Sequence, residues 1–190
     1  MPWKDTATGY GWISIALHWI TAVWITLLLF YGNSIGALLG ADRSDAIVRH
    51  TSIAITGYVL LWLRVGWRFY FGHPAATQKQ RGAAFTLGKW IHLTMLVAVG
   101  LMLISGPLMV WSRGDDIVVF DWFVLSTPMA TSFALSDFCS RVHTGSALVI
   151  FLGILLHLGG VYKHLAFNQD GTFTKILIPS KPSGDDSCSD

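Results

Sequence analysis

Four apolar runs, each long enough to cross a lipid bilayer, leave this chain few ways to fold: residues 12–31, 46–70, 86–111 and 140–162. About 20 helical residues span some 30 Å of hydrocarbon, and the longer two runs cross with some tilt. Within lipid every backbone N–H and C=O has to find a partner inside the protein, so each run is expected to be a helix. Only 13% of the 190 residues are charged, against about 25% in a soluble domain, and the mean hydropathy is +0.53. Tryptophan and tyrosine gather near the ends of the runs, at Trp12, Tyr31, Trp67, Tyr70, Trp90, Trp111 and Tyr162, as interfacial aromatic belts do. The expected fold is all-α: an integral membrane four-helix up-down bundle.

Lysine and arginine set the expected orientation. With the N-terminus inside, nine of them fall on the inner face and four (Arg43, Arg49, Arg113, Arg141) on the outer. That bias places both termini in the cytoplasm. The first run is too long for the apolar part of a signal peptide, and cleavage after it would remove His18. Cys139 and Cys188 fall at opposite membrane faces, so no disulfide joins them. A formal charge of +2 gives no case for nucleic acid. One domain, residues 1–170, holds all four spans, and residues 171–190 form a cytoplasmic tail with a disordered end. The longest outer connection, residues 112–139, has a short β-prone stretch in "RGDDIVVFDWFVLS" and is expected to fold over the outer surface as a cap. The "SGPLM" segment at residues 105–109 is expected to kink the third span.

Histidine carries the chemistry. Imidazole inside a membrane span is costly unless something binds it. His143 and His157 lie fourteen residues apart in "RVHTGSALVIFLGILLHLGG". That spacing is about 21 Å along a helix and leaves both within roughly 40° of one face. Sorted by depth, His50 joins His143 near the outer surface, while His18 and His92 compete to partner His157 near the inner one. Two facing imidazoles are what a six-coordinate b-type haem requires, and no C-x-x-C-H motif exists for covalent attachment. Two such sites about 20 Å apart would form a transmembrane electron wire. Zinc is a poorer match, since its sites usually add carboxylate or thiolate ligands; no Asp lies within a span and the chain has no Glu.

Arginines extend the pattern. Arg64 and Arg68 share the His50 face of the second span at its cytoplasmic end, where they could hold the propionates of an inner haem by charge-assisted contacts; snorkelling anchors are the competing explanation. Arg49 and Arg141 each sit beside an outer histidine and could do the same there. Gly57 and Gly145 flank the expected outer site, either for a macrocycle or for helix packing.

Together, "YGWISIALHWITA", "RHTSIAITGYVLLWLRVGWRF", "KWIHLTMLVAVGLMLISGPLM", "RVHTGSALVIFLGILLHLGGVYKH" and the tail "NQDGTFTKIL" make the chain resemble the prokaryotic cytochrome b561 family along its whole length. That resemblance implies two haem b groups in a bacterial inner (plasma) membrane, with His18 and His157 as axial ligands of the inner iron and His50 and His143 of the outer. It leaves His92 outside the ligand set. It further implies a quinone region on the cytoplasmic side, to which His164, Lys163 and Arg64 could contribute. The function so implied is an electron-transfer oxidoreductase, taking electrons from a small periplasmic donor or redox protein and passing them to ubiquinone. Superoxide:ubiquinone oxidoreductase is its concrete version. The alternative is a cytochrome b anchor for a docked hydrogenase or dehydrogenase, and a non-redox histidine protein is a third reading. Six acids against four bases on the outer face weigh against a general field that would steer an anionic donor.

Overall fold

The computed structural model describes residues 3–6, 9–72, 83–168, 171 and 173–179. It is helical nearly throughout: α1 (Trp12–Ile35), α2 (Gly40–Thr56), α3 (Tyr58–Phe71), α4 (Ala83–Trp111) and α5 (Phe133–Lys163). Among the described residues, α1, α4 and α5 are each long and apolar enough to cross a membrane, and the bent pair α2–α3 makes a fourth span if counted as one. Loop residues 73–82, including His73, and the tail from residue 180 lie outside the described residues.

The apolar run at residues 46–70 is not one rod. It begins as a helix already at Gly40 and breaks at Gly57 with a bend of 49°. The cause lies on α1. The Trp24 indole occupies the space a side chain at residue 57 would need, with Nε1 2.1 Å from the Cβ position. Its N–H donates to the Ile53 carbonyl at 3.0 Å, which the Gly57 amide also reaches at 3.3 Å. A side chain that enters the helical ladder opposite glycine is a recognised origin of a kink. The third span behaves otherwise: α4 runs on as helix through Pro107. Proline has no N–H for the Leu103 carbonyl four residues back, and the Tyr58 hydroxyl donates there instead at 3.0 Å.

The interior is apolar: Leu61 and Val65 of α3, Ala98, Val99 and Leu103 of α4 and Ile150 of α5, with Trp24 and Leu28 of α1 against them. The large apolar residues on the opposite helix faces are exposed, as lipid-facing positions would be. The long connection before α5 carries a hairpin, β1 (Ile117–Val119) antiparallel to β2 (Phe123–Leu125), with Val118 opposite Val124. Ser52, fully buried on α2, accepts from the Phe120 amide at 2.7 Å and donates to the Val118 carbonyl at 3.4 Å. The expected β-prone cap therefore folds onto α2. Phe120 turns the hairpin at φ 46°.

At the other end, residues 3–6 and 9–11 form a strap under α1. Asp5 accepts from the Gly11 amide and the Ser14 hydroxyl, each at 2.9 Å, and lies 3.9 Å from the Arg68 guanidinium. Trp67 of α3 donates to the same Ser14 hydroxyl at 2.8 Å. The strap crosses so close that a Cβ on Gly11 would lie 2.4 Å from the Lys4 carbonyl oxygen. A short turn at Thr174–Ile176 returns to α1, where Trp19 donates to the Ile176 carbonyl at 3.0 Å.

Candidate functional site

Helix α5 carries His143 and His157 fourteen residues apart on an unbroken helix, about 21 Å along its axis. Each meets a histidine from another helix. His50 of α2 faces His143 with ring centroids 6.3 Å apart and planes at 84°. His18 of α1 faces His157 with the same centroid separation and planes at 68°. The third imidazole, His92 of α4, lies edge-on to His157 at only 4.8 Å. Its Nδ1 is 2.7 Å from the Gly88 carbonyl oxygen; a carbonyl only accepts, so the ring proton sits on Nδ1.

The distances discriminate between these contacts. An imidazole nitrogen binds a metal at about 2 Å and lies just over 1 Å from its own ring centre. Two imidazoles on opposite sides of one metal therefore have centroids about 6 Å apart. The His50–His143 and His18–His157 pairs meet that spacing, and His92–His157 is too close for it.

The surroundings of the first pair suit a ligand. His50 Nδ1 is buried with no hydrogen-bond partner, a costly state for a polar atom in an apolar site. A small apolar cavity of about 60 Å³ lies between His50 and His143, lined also by Leu28, Leu61, Met102 and Ile150. Both rings sit against glycine: a Cβ on Gly32 would be 3.2 Å from His50, and one on Gly106 3.4 Å from His143. Ser105 Oγ approaches His143 Nδ1 at 3.4 Å. Gly32, Gly106 and Ser105 were not legible as site residues, since no spacing in the sequence ties them to a histidine on another helix. Of the glycines singled out by position, Gly57 faces Trp24 instead and Gly145 faces open space.

At the second pair, Arg64 Nη2 lies 3.4 Å from His18 Nδ1, and its other terminal nitrogen is buried without a partner. Arg68, only 8% exposed, is engaged already: it pairs with Asp5, donates to the Gly72 carbonyl and lies 5.0 Å over the Tyr10 ring. Burial raises the Tyr10 phenol above its ordinary pKa against the opposing pull of Arg68, so it keeps its proton at neutral pH. Asp5 reads in the sequence only as a charge that balances Lys4, and nothing in the segment that holds Tyr10 and Ser14 ties either to Arg68 or Trp67.

The other expected residues are spread more widely. Arg49 and Arg141 are exposed at the His50 end, and no hydrogen bond or ion pair among the described residues joins either to the histidines. Lys163 ends α5, exposed, and His164 opens the turn that follows, about 9–10 Å of helix beyond His157.

Known proteins add an independent line. A family model described as prokaryotic cytochrome b561 matches residues 9–178. The chain is also 27% identical over 179 residues to "Cytochrome b561 homolog 2" of Escherichia coli (strain K12), covering 93% of this chain and 95% of that protein.

Proposed function

The chain belongs to the prokaryotic cytochrome b561 family of membrane cytochromes, and from that premise we propose that it is a dihaem electron carrier of the bacterial inner membrane. It crosses the membrane as a four-helix up-down bundle with both termini cytoplasmic, and residues 1–170 act as one domain. The observation that carries this reading is the pair of histidine contacts along α5, each at 6.3 Å. His50 and His143 hold the periplasmic haem b and His18 and His157 the cytoplasmic one. Each haem supplies a one-electron couple.

The protein's own groups do the rest. Neutral imidazoles bind the iron, and the apolar lining keeps water from the path between the two sites. His18, with its ring proton on Nδ1, would hold the iron through Nε2, and Arg64 would then be free to hold a propionate. Arg68, held by Asp5 and Tyr10, is the weaker candidate for that task. Arg49 and Arg141 would hold the propionates of the periplasmic haem. Ubiquinone is the acceptor, near the cytoplasmic end where His164 and Lys163 lie. Two one-electron donors on the periplasmic side reduce one quinone, which takes up two protons and leaves as quinol. Superoxide is the simplest such donor.

Replacing one ligand at a time tests the pairing. His143→Ala keeps the cytoplasmic haem and loses the periplasmic one, and His157→Ala does the reverse. Pyridine haemochrome content should halve in each, with different reduced-minus-oxidised spectra remaining. Equal partial loss of both haems in each variant, from well-folded protein, would overturn the assignment.

A further inference from the structure

Helix α4 buries a hydroxyl beside the His50–His143 pair. Ser105 is only 3% exposed, and its Oγ donates to the Leu101 carbonyl one turn back at 2.7 Å. Taken alone, that bond is how a serine inside a helix satisfies itself. The same oxygen also lies 3.4 Å from His143 Nδ1 on α5. A hydroxyl has one proton and two lone pairs. With its proton committed to Leu101, Ser105 can meet His143 only as an acceptor, and the ring nitrogen has to be the donor. The Met102 carbonyl, which also bonds this ring, can likewise only accept. Gly106 lets the ring come this close: a Cβ there would lie 3.4 Å from His143 Cε1 and 3.6 Å from Nδ1. The Nδ1 edge of His143 thus rests on the Ser105–Gly106 step of α4.

We propose that Ser105 is a positioning residue for His143, holding the ring in the tautomer with its proton on Nδ1 and leaving Nε2 bare for iron; this rests on the dihaem reading above. A neutral imidazole carries one ring proton, and a metal takes the nitrogen without it. Both groups that α4 turns to this ring are acceptors, so the other tautomer would set lone pair against lone pair and bury a polar nitrogen unpaired. The ring is therefore ready for iron before haem arrives. With iron bound, an Nδ1–H that gives into a hydroxyl oxygen makes the imidazole a more basic ligand. A more basic ligand favours the ferric state, so Ser105 holds the potential of this haem down.

Removing and then restoring the hydroxyl is the test. Ser105→Ala changes little volume and improves helix propensity, so the variant folds. Ser105→Thr keeps an oxygen that a helical threonine can bond to the same carbonyl. Full-length wild type, both variants and His143→Ala are purified with their haem. Redox potentiometry, low-spin EPR spectra and haem transfer to excess apomyoglobin are then measured. Ser105→Ala is expected to keep two haems and to shift the reduction equilibrium of one of them at least threefold toward the ferrous form. That haem is the one missing from His143→Ala; its EPR signal moves and its transfer to apomyoglobin quickens about tenfold, while the other haem is unchanged. Ser105→Thr brings all three readouts back toward wild type. An unchanged potential and EPR signal in Ser105→Ala would show that the Met102 carbonyl alone sets the proton, and overturns the role of Ser105. Equal changes in Ser105→Ala and Ser105→Thr would reduce it to packing, and overturn it too. Retention of both haems by His143→Ala would instead sink the ligand assignment on which the proposal stands.

Discussion

Two arginines four residues apart on α3 illustrate how little a side chain's type says about its task. Arg64 and Arg68 read alike in the sequence, yet Arg68 is tied to Asp5, Gly72 and Tyr10, while Arg64 keeps a buried nitrogen unpaired beside His18. Their substitutions should therefore separate. Removing the Arg64 charge takes a buried cation away from the haem proposed on His18 and His157. A unit charge about 10 Å away at an effective dielectric near 20 is worth tens of millivolts. A cation stabilises the reduced state, so Arg64→Leu lowers that haem's midpoint potential, and Arg64→Lys restores most of it. Arg68→Leu instead leaves Asp5 without its cation. Loss of one partner of a buried pair costs up to about 3–5 kcal/mol, and the Asp5–Arg68 separation of 3.9 Å puts the cost at the low end. Its readout is a lower melting temperature and faster proteolysis of the strap. A redox titration that moves only in Arg68→Leu would reverse these roles.

At the scale of elements, the hairpin before α5 hangs on one serine. Ser52→Ala leaves the Phe120 amide without its 2.7 Å acceptor, and an unpaired buried donor costs about 1–3 kcal/mol. Amide exchange across residues 117–125 should quicken, while α4 and α5 keep their protection; equal protection in both proteins would show that Ser52 is dispensable. The sites of the apolar spans, the β-prone cap and the two depths of histidine were all legible because each is a one-dimensional signal of length, period or spacing. The break at Gly57 was not, since it depends on Trp24 arriving from another helix. The helical end of α1 and the early start of α2 were missed for a related reason. Polar residues such as Asn33, Asp42 and Asp45 end an apolar run without ending a helix, and only four residues, 36–39, separate the two. The strap under α1 was illegible for the same cause as the Arg64–Arg68 difference: Asp5 gains its meaning only from partners nine and sixty-three residues away.

For the whole molecule, charge separates along the axis that the two histidine pairs define. The His50 end exposes Asp42, Asp45, Asp115, Asp116, Asp121 and Asp137 against Arg43, Arg49, Arg113 and Arg141. Arg43 also donates to the Ile35 carbonyl at the end of α1, which leaves Arg49, Arg113 and Arg141 as the freer cations there. A donor approaching this end meets a net negative surface, and the screening length is about 10 Å at 0.1 M salt. Long-range attraction thus favours a cationic redox partner, and an anion such as superoxide gains only when close to Arg49 or Arg141. The two donor classes then differ in the sign of their salt dependence. With stopped-flow reduction of the haem proposed on His50 and His143 between about 20 and 200 mM salt, a cationic donor protein should slow several-fold. Superoxide should hold its rate or gain slightly. A several-fold fall with superoxide would mean that Arg49 and Arg141 dominate the approach, and Arg49→Ala with Arg141→Ala would then abolish that fall. The sign of one slope thereby tells whether this end of the molecule is built for a small anion or for a docked cationic protein.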